Sequence, residues 1–207
     1  MIDLSNSREF QDLFVLSVLD KKRNGTYLEI GSGHPIVGSN TFLLENSYNW
    51  KGISLELDTY LFNTFIKTRK NICLNIDATN VDYYNLILQM GYNTHIDFLQ
   101  LDIDPAENTF KALNKINFEK LSFSIITFEH DLYRGSVFEK HVSKDIITSY
   151  GYTLVKENVI HDNDAFEDWY VNEKHMPNDT WRLFCGDNEP MNKGFIPEKY
   201  IKIFNTL

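Results

Sequence analysis

The chain has 207 residues, 43% of them apolar and 24% charged, the mixture expected of one globular domain with a sizeable core. Its net charge of −9 argues against a duplex nucleic-acid partner and against anionic membrane surfaces, both of which select a basic face. The opening Met1-Ile2-Asp3-Leu4-Ser5 lacks the basic and apolar regions of a signal peptide, and no apolar run is long enough to span a bilayer.

In chain order, Phe10, Leu13, Phe14, Leu16 and Val18 recur at helical spacing, which predicts a leading helix over 8–20. Thr26 to Ile30 is apolar and β-favouring, a short buried strand. It runs into Gly31-Ser32-Gly33, Pro35 and Gly38, through which no helix can pass. Ser39-Asn40-Thr41 then offers N-caps for a helix carrying Phe42, Leu43 and Leu44. Strand, glycine loop and helix is how an α/β sheet builds a cofactor site beyond the carboxyl ends of its strands. A dinucleotide fingerprint needs G-x-G-x-x-G, and here the third glycine is missing. An acid, Glu29, precedes the loop; a carboxylate there repels a pyrophosphate and attracts a cation. S-adenosylmethionine carries a sulfonium and an ammonium and no phosphate, so this loop favours it over NAD. A bare tight turn is the bland alternative.

Trp50-Lys51-Gly52 leads into a second strand, 53–57, followed by a helix around 59–68. The third strand, 72–76, ends at Asp77-Ala78, and a helix over 81–90 is closed by Gly91. The fourth strand, 96–101, ends in Asp102-Ile103-Asp104-Pro105 ahead of a helix over 107–117. The fifth, 123–128, ends in Glu129-His130-Asp131, and a helix over 137–150 is stopped by Gly151. A strand over 152–160, a polar stretch over 161–179 and a last strand over 180–185 complete a doubly wound, mostly parallel Rossmann-like sheet with an antiparallel edge. Residues 161–179 carry Trp169, Tyr170 and His175 among acids and are expected to insert over the mouth of the site as an acceptor-binding lid, or to form a homodimer contact. The turn His161-Asp162-Asn163-Asp164 falls at the same cleft edge. Tyr200 to Phe204 reads as a strand or an edge helix. Cys73 and Cys185 lie far apart in apolar runs, consistent with buried free thiols in a cytoplasmic protein.

Acids gather at the strand ends. Glu56 falls where a doubly wound fold puts a ribose-binding carboxylate, roughly twenty residues beyond the glycine loop. Asp77 and Ala78 are placed to hold the adenine amino group, with Asp77 as a helix N-cap the alternative. Asp102 and Asp104 face Glu129, His130 and Asp131 across the cleft, a constellation suited to a hard cation or to acid–base chemistry. Asp104 is equally a cap for the helix opened by Pro105. His130 reads as a metal ligand, a protonated partner of its acids, or a structural histidine.

Gln11-Asp12, Tyr27-Leu28-Glu29-Ile30-Gly31, Ser39-Asn40-Thr41-x-x-Leu44-Glu45 and Trp50-Lys51-Gly52-x-x-x-Glu56, with Leu101-Asp102-Ile103-Asp104-Pro105-Ala106-Glu107 after the fourth strand, resemble the FkbM-type S-adenosylmethionine-dependent methyltransferases. The resemblance runs over about residues 8–131 and departs at His34-Pro35 and Asp104-Pro105. It implies an enzyme that methylates a hydroxyl of a small molecule or sugar. The cofactor residues would be Glu29, Gly31, Ser32, Gly33, Asn40, Glu56, Asp77, Ala78 and Asp102. The arrangement also resembles metal-assisted O-methyltransferases of the catechol type, which would make Asp102, Glu129, His130 and Asp131 ligands of Mg²⁺ or Mn²⁺. Without metal, His130 or Asp102 would be the general base. The rival readings are an NAD-dependent reductase on the same fold and a non-catalytic cofactor-binding partner subunit.

Overall fold

A computed structural model describes residues 2–161, 163–186 and 196–205. Asp162, part of the predicted cleft-edge turn, lies outside them, as does much of the tail beyond Gly186. Seven strands form one sheet: β1 (Thr26–Ile30), β2 (Lys51–Leu55), β3 (Ile72–Leu74), β4 (His95–Leu101), β5 (Ser122–Glu129), β6 (Thr153–His161) and β7 (Asp164–Val171). Their order is β3-β2-β1-β4-β5-β7-β6; β1 to β5 are parallel, and β7 runs antiparallel to both β5 and β6. The helices are α1 (Gln11–Val18), α2 (Phe42–Tyr48), α3 (Thr59–Thr68), α4 (Tyr83–Gln89), α5 (Ala106–Leu113), α6 (Val137–Ser149) and α7 (Glu198–Asn205).

Side chains alternate across a strand, so each strand feeds two cores. Tyr27, Phe98, Ile125 and Val171 join α1, α2, α7 and Trp169 on one face. Leu28, Leu99, Ile126 and Tyr170 join α4, α5 and α6 on the other. Every residue of α1 is buried, because the sheet and α7 enclose it together with a 3-10 helix at Asp179–Phe184. The apolar stripe expected for a surface helix is replaced there by burial all round.

Several expectations for the second half are corrected. The stretch 161–179 is no insertion: residues 164–171 are β7, wedged between β5 and β6, with Trp169 and Tyr170 fully buried. The lid and the dimer contact both required those aromatics at the surface. The predicted strand 180–185 is the 3-10 helix, which sends Trp181 and Phe184, three residues apart, into the core. Cys185, just beyond it, is exposed rather than buried; Cys73 is buried. Tyr200 to Phe204 is helical, within α7. The helix predicted over 81–90 is α4, preceded by a 3-10 turn, Ala78–Asn80, that the sequence did not announce.

Much of the motif series at 39–56 is architecture. The ring of Tyr27 lies so close over Gly52 that a Cβ there would come within 2.3 Å of it. The buried Arg69 donates to Glu45 at 2.7 Å, to the Pro35 carbonyl at 2.9 Å and to Thr41 at 3.0 Å. One guanidinium thus ties the head of α2 and the end of the glycine loop to α3, using the fork of donors that lysine lacks.

Candidate active site

A cavity of about 790 Å³ opens where the parallel strands end, lined by the glycine loop and the residues following β2, β3, β4 and β5. This is the crevice in which open α/β sheets bind ligands. The loop enters it at Gly31, whose φ is +83°, and a Cβ there would stand 1.7 Å from the Asp102 carbonyl oxygen. Only glycine lets β1 pass β4 at that distance.

Most donors of the loop are spent within the protein. Gly31 and Ser32 N–H donate to the Leu55 carbonyl at 3.0 and 3.1 Å. Gly33 N–H donates to Glu56 Oε2 at 2.8 Å. Ile36 and Val37 N–H both donate to His34 Nδ1, at 3.2 and 3.0 Å. Pro35 has none. A pyrophosphate is held by free backbone N–H groups, and this loop offers it almost none beside a carboxylate.

The predicted cofactor residues Glu29, Gly31, Ser32, Gly33, Asn40, Glu56, Asp77, Ala78 and Asp102 all line this one cavity. Several also hold structure. Glu29 is 1% exposed and accepts from Thr41 Oγ1 at 2.7 Å and Ser54 Oγ at 2.5 Å, joining β1, β2 and the head of α2. Burial raises its pKa, while Arg69 and the two hydroxyls oppose the rise. Glu56 accepts from Gly33 with one oxygen and from Asp58 N–H, at 2.8 Å, with the other. Oε2 also accepts from Ser32 Oγ at 3.5 Å, which leaves Oε1 with a further lone pair for a ligand hydroxyl. Asp77 caps the 3-10 turn, accepting from Thr79 N–H at 2.9 Å, and lines the cavity as well. Asn40 is 7% exposed, and its Oδ1 is buried without a hydrogen-bond partner. An orphaned acceptor on a residue that lines the cavity fits a ligand that donates.

At the far end of the cavity the carboxyls of Asp102 and Glu129 hydrogen-bond each other. One of the two must then be protonated. Burial pushes Asp102 up to about 6, with the charges of Asp104 and Asp131 adding to the rise. Burial, and then Asp102 itself, raises Glu129 well above the ordinary carboxyl range. The shared proton rests on Glu129, and Asp102 is the carboxylate.

His130 does not join them. Residues 128 and 130 fall on one side of the strand and 129 on the other, and the His130 ring is fully buried away from the cavity. Its Nδ1 accepts from Leu132 N–H at 3.2 Å, and its Nε2 lies 3.3 Å from Asp168 Oδ1. The catalytic and metal-ligand expectations for His130 are therefore corrected to a structural role. The metal set fails with it. Asp131 is paired to Arg134 at 3.1 Å, and Asp102 and Glu129 are bonded to each other. Among the described residues no group of three or more His, Cys, Asp or Glu side chains is placed to hold a metal ion. Asp104 pairs with Arg134 rather than capping α5.

Sequence reasoning missed Gln100, Arg8, Tyr133 and Arg134, which also line the cavity. Gln100 was legible from alternation, since it shares the strand face of Asp102. Arg8 and Arg134 carry no local signal; the fold alone brings them to the site.

No protein-family model and no curated protein matches the chain. Solved structures do. A "putative rRNA-methylase" of Clostridium thermocellum is 14% identical, with a TM-score of 0.54, over 81% of this chain and 98% of that one. An O-methyltransferase of Bacillus cereus, determined with S-adenosylhomocysteine, is 16% identical, with a TM-score of 0.53, over 78% and 80%. Fibrillarin of Aeropyrum pernix, with natively bound S-adenosylmethionine, is 12% identical, with a TM-score of 0.50, over 78% and 76%. At such identities the likeness is one of fold, and the fold is the Rossmann-like fold of the class I S-adenosylmethionine-dependent methyltransferases.

Proposed function

We propose that the protein is an S-adenosylmethionine-dependent O-methyltransferase acting on a hydroxyl of a small molecule or sugar, and that it belongs with the FkbM-type enzymes its motifs resemble. The observation that carries the reading is the glycine loop. Most of its N–H groups are spent internally and it stands among acids, so it suits a cationic, phosphate-free cofactor and disfavours a dinucleotide. A transferase reading also accounts for the protonated carboxyl pair beyond the loop, which a partner subunit that only bound cofactor would not need.

Glu56 would accept from the ribose hydroxyls, Asp77 and Ala78 would border the adenine, and Asn40 Oδ1 would accept from the amino-acid portion. When bound, the cofactor supplies an electrophilic methyl group on sulfur. Asp102 would accept the proton of the acceptor hydroxyl, and the Glu129 carboxyl would hold Asp102 oriented by donating to it. With its pKa near 6, Asp102 is ionised at neutral pH and still basic enough to serve. No metal ligand is assigned. The acids of the cavity disfavour RNA as acceptor.

Calorimetric titration with S-adenosylhomocysteine tests the cofactor. Glu56→Ala should weaken binding about tenfold or more, as loss of a charged acceptor for two hydroxyls requires. Tight NAD binding without binding of the adenosyl ligand would overturn the reading.

A further inference from the structure

Arg8 is exposed, the ordinary setting of an arginine, but the chain that carries it is not. Its neighbours Ser7 and Glu9 are buried. The buried Asp12 carboxyl gathers the backbone ahead of it, accepting from Ser5 Oγ at 2.6 Å, Asn6 N–H at 2.9 Å and Ser7 N–H at 3.4 Å. Ser7 forms an isolated parallel bridge with Gly38, and its hydroxyl donates to the Ser39 carbonyl at 3.4 Å. The Arg8 side chain lies against Gly38, where an added Cβ would stand 3.3 Å from its Nε. Arg8 is thus seated at the far end of the glycine loop. The contact between Ser7 and Ser39 ties it to Asn40, the next residue of that loop. It also stands on the β1–β4 side of the cavity, since α1 just beyond it packs on Tyr27 of β1 and Phe98 of β4. Glu56, Asp77 and Ala78 follow β2 and β3 on the other side.

The other basic side chains along the cavity have partners. Arg134 is taken up by Asp104 and Asp131. His34 Nδ1 accepts from Ile36 and Val37 N–H. His161 Nδ1 lies 2.5 Å from Glu9 Oε1, so the carboxyl next to Arg8 in the chain is engaged elsewhere. Arg8 itself forms no hydrogen bond and no ion pair among the described residues. Its charge is felt at Asp102, whose rise in pKa it opposes. A planar fork of N–H donors therefore borders the cavity unspent.

Building on the methyltransferase reading, we infer that Arg8 holds the carboxylate of the cofactor's amino-acid portion, with the ammonium beside it donating to Asn40 Oδ1. That carboxylate is the one anionic group of S-adenosylmethionine. The glycine loop is poorly equipped to hold it, because most of its N–H groups are spent on Leu55, Glu56 and His34. With the adenosine toward β2 and β3, the amino-acid portion falls toward β1 and β4, where Arg8 and Asn40 stand. A guanidinium fork matches a carboxylate, and an ammonium supplies the donor that the buried Asn40 oxygen lacks. The two residues, linked through Ser7 and Ser39, would read both charges of one zwitterion. The segment ahead of β1 would then set the preference for an amino-acid-bearing nucleoside over a plain one.

Three ligands that differ only in the amino-acid portion test the inference by calorimetry: S-adenosylhomocysteine, its decarboxylated analogue, which keeps the amine, and 5′-methylthioadenosine, which has neither charge. The protein should bind S-adenosylhomocysteine about tenfold tighter than the decarboxylated analogue. Arg8→Gln should weaken S-adenosylhomocysteine about tenfold and leave the other two within about twofold, so that the gap closes. Arg8→Lys, which keeps the charge and loses the fork, should restore part of it. Methylthioadenosine reports whether the variants keep the cavity. Unaltered S-adenosylhomocysteine affinity in Arg8→Gln overturns the inference, as does an equal loss for all three ligands; both leave the cofactor reading intact. A parent protein that binds none of the three would instead remove the methyltransferase reading, and the inference with it.

Discussion

Gly31 and His130 mark opposite outcomes at the scale of single residues. Gly31 is required twice over, by its φ of +83° and by the Asp102 carbonyl 1.7 Å from where a Cβ would stand. Gly31→Ala should cost roughly 2 kcal/mol or more of stability, read as a lower urea midpoint, since backbone strain and displacement of β4 act together. A variant as stable as the parent would show that the strands part without cost. His130 sat in the sequence between two acids and invited a chemical role, yet the period of two that governs a strand turns it to the opposite side from Glu129. The same alternation identifies Gln100 as a companion of Asp102. Spacing along the chain says which side chains share a face. Which face carries the site depends on where the helices pack.

At the scale of elements, β7 is the informative case. Its sequence, Asp164 to Val171, holds three acids in eight residues, which reads as surface. The acids are accommodated by partners drawn from distant elements: Gln11 Nε2 donates to Glu167 at 3.1 Å, and Asn158 N–H donates to Asp168 at 2.7 Å. Trp169 stacks on Phe14 of α1 with ring centroids 4.4 Å apart. Trp169→Ala should therefore cost about 3–5 kcal/mol, as for other large aromatics removed from a core, measured by urea denaturation. Deletion of 163–177 should leave an unfolded chain in circular dichroism, because it removes a strand from within the sheet. A folded deletion variant that still binds cofactor would restore the lid. The 3-10 helix at Asp179–Phe184 has the same origin: Trp181 and Phe184 fit the aromatic cluster of Phe14, Tyr200 and Phe204 only if the chain turns.

At the scale of the whole molecule, the excess of acids becomes a pH dependence. Burial pushes Glu167 up to about 8, against the opposing hydrogen bonds from Gln11 and Trp169. A carboxyl with a raised pKa in the fold stays protonated there while the unfolded chain ionises near 4.5. The unfolded state then binds fewer protons, so this contribution is full below about 4.5 and is lost as the pH rises toward 8. Glu29, also raised by burial, acts in the same direction. The urea midpoint should fall between pH 5 and pH 8, and Glu167→Gln should flatten that fall; an unchanged slope would mean that Glu167 is ionised in the fold.

The amino-acid sequence by itself determined the alternation of strands and helices, the glycine loop after β1 and the acids at the strand ends. These follow from local causes: hydrophobic period, glycine and proline as breakers, and polar residues where strands run out of the core. It also placed the residues expected to bind the cofactor in one cavity, because parallel strands with right-handed crossovers must bring their carboxyl ends together. Only the tertiary structure decided that β7 lies inside the sheet, that His130 faces Asp168, and that Asp102 and Glu129 share a proton. Each of these depends on contacts between residues far apart in the chain, where a buried acid and a solvated one have the same local sequence and differ only in what the fold brings beside them.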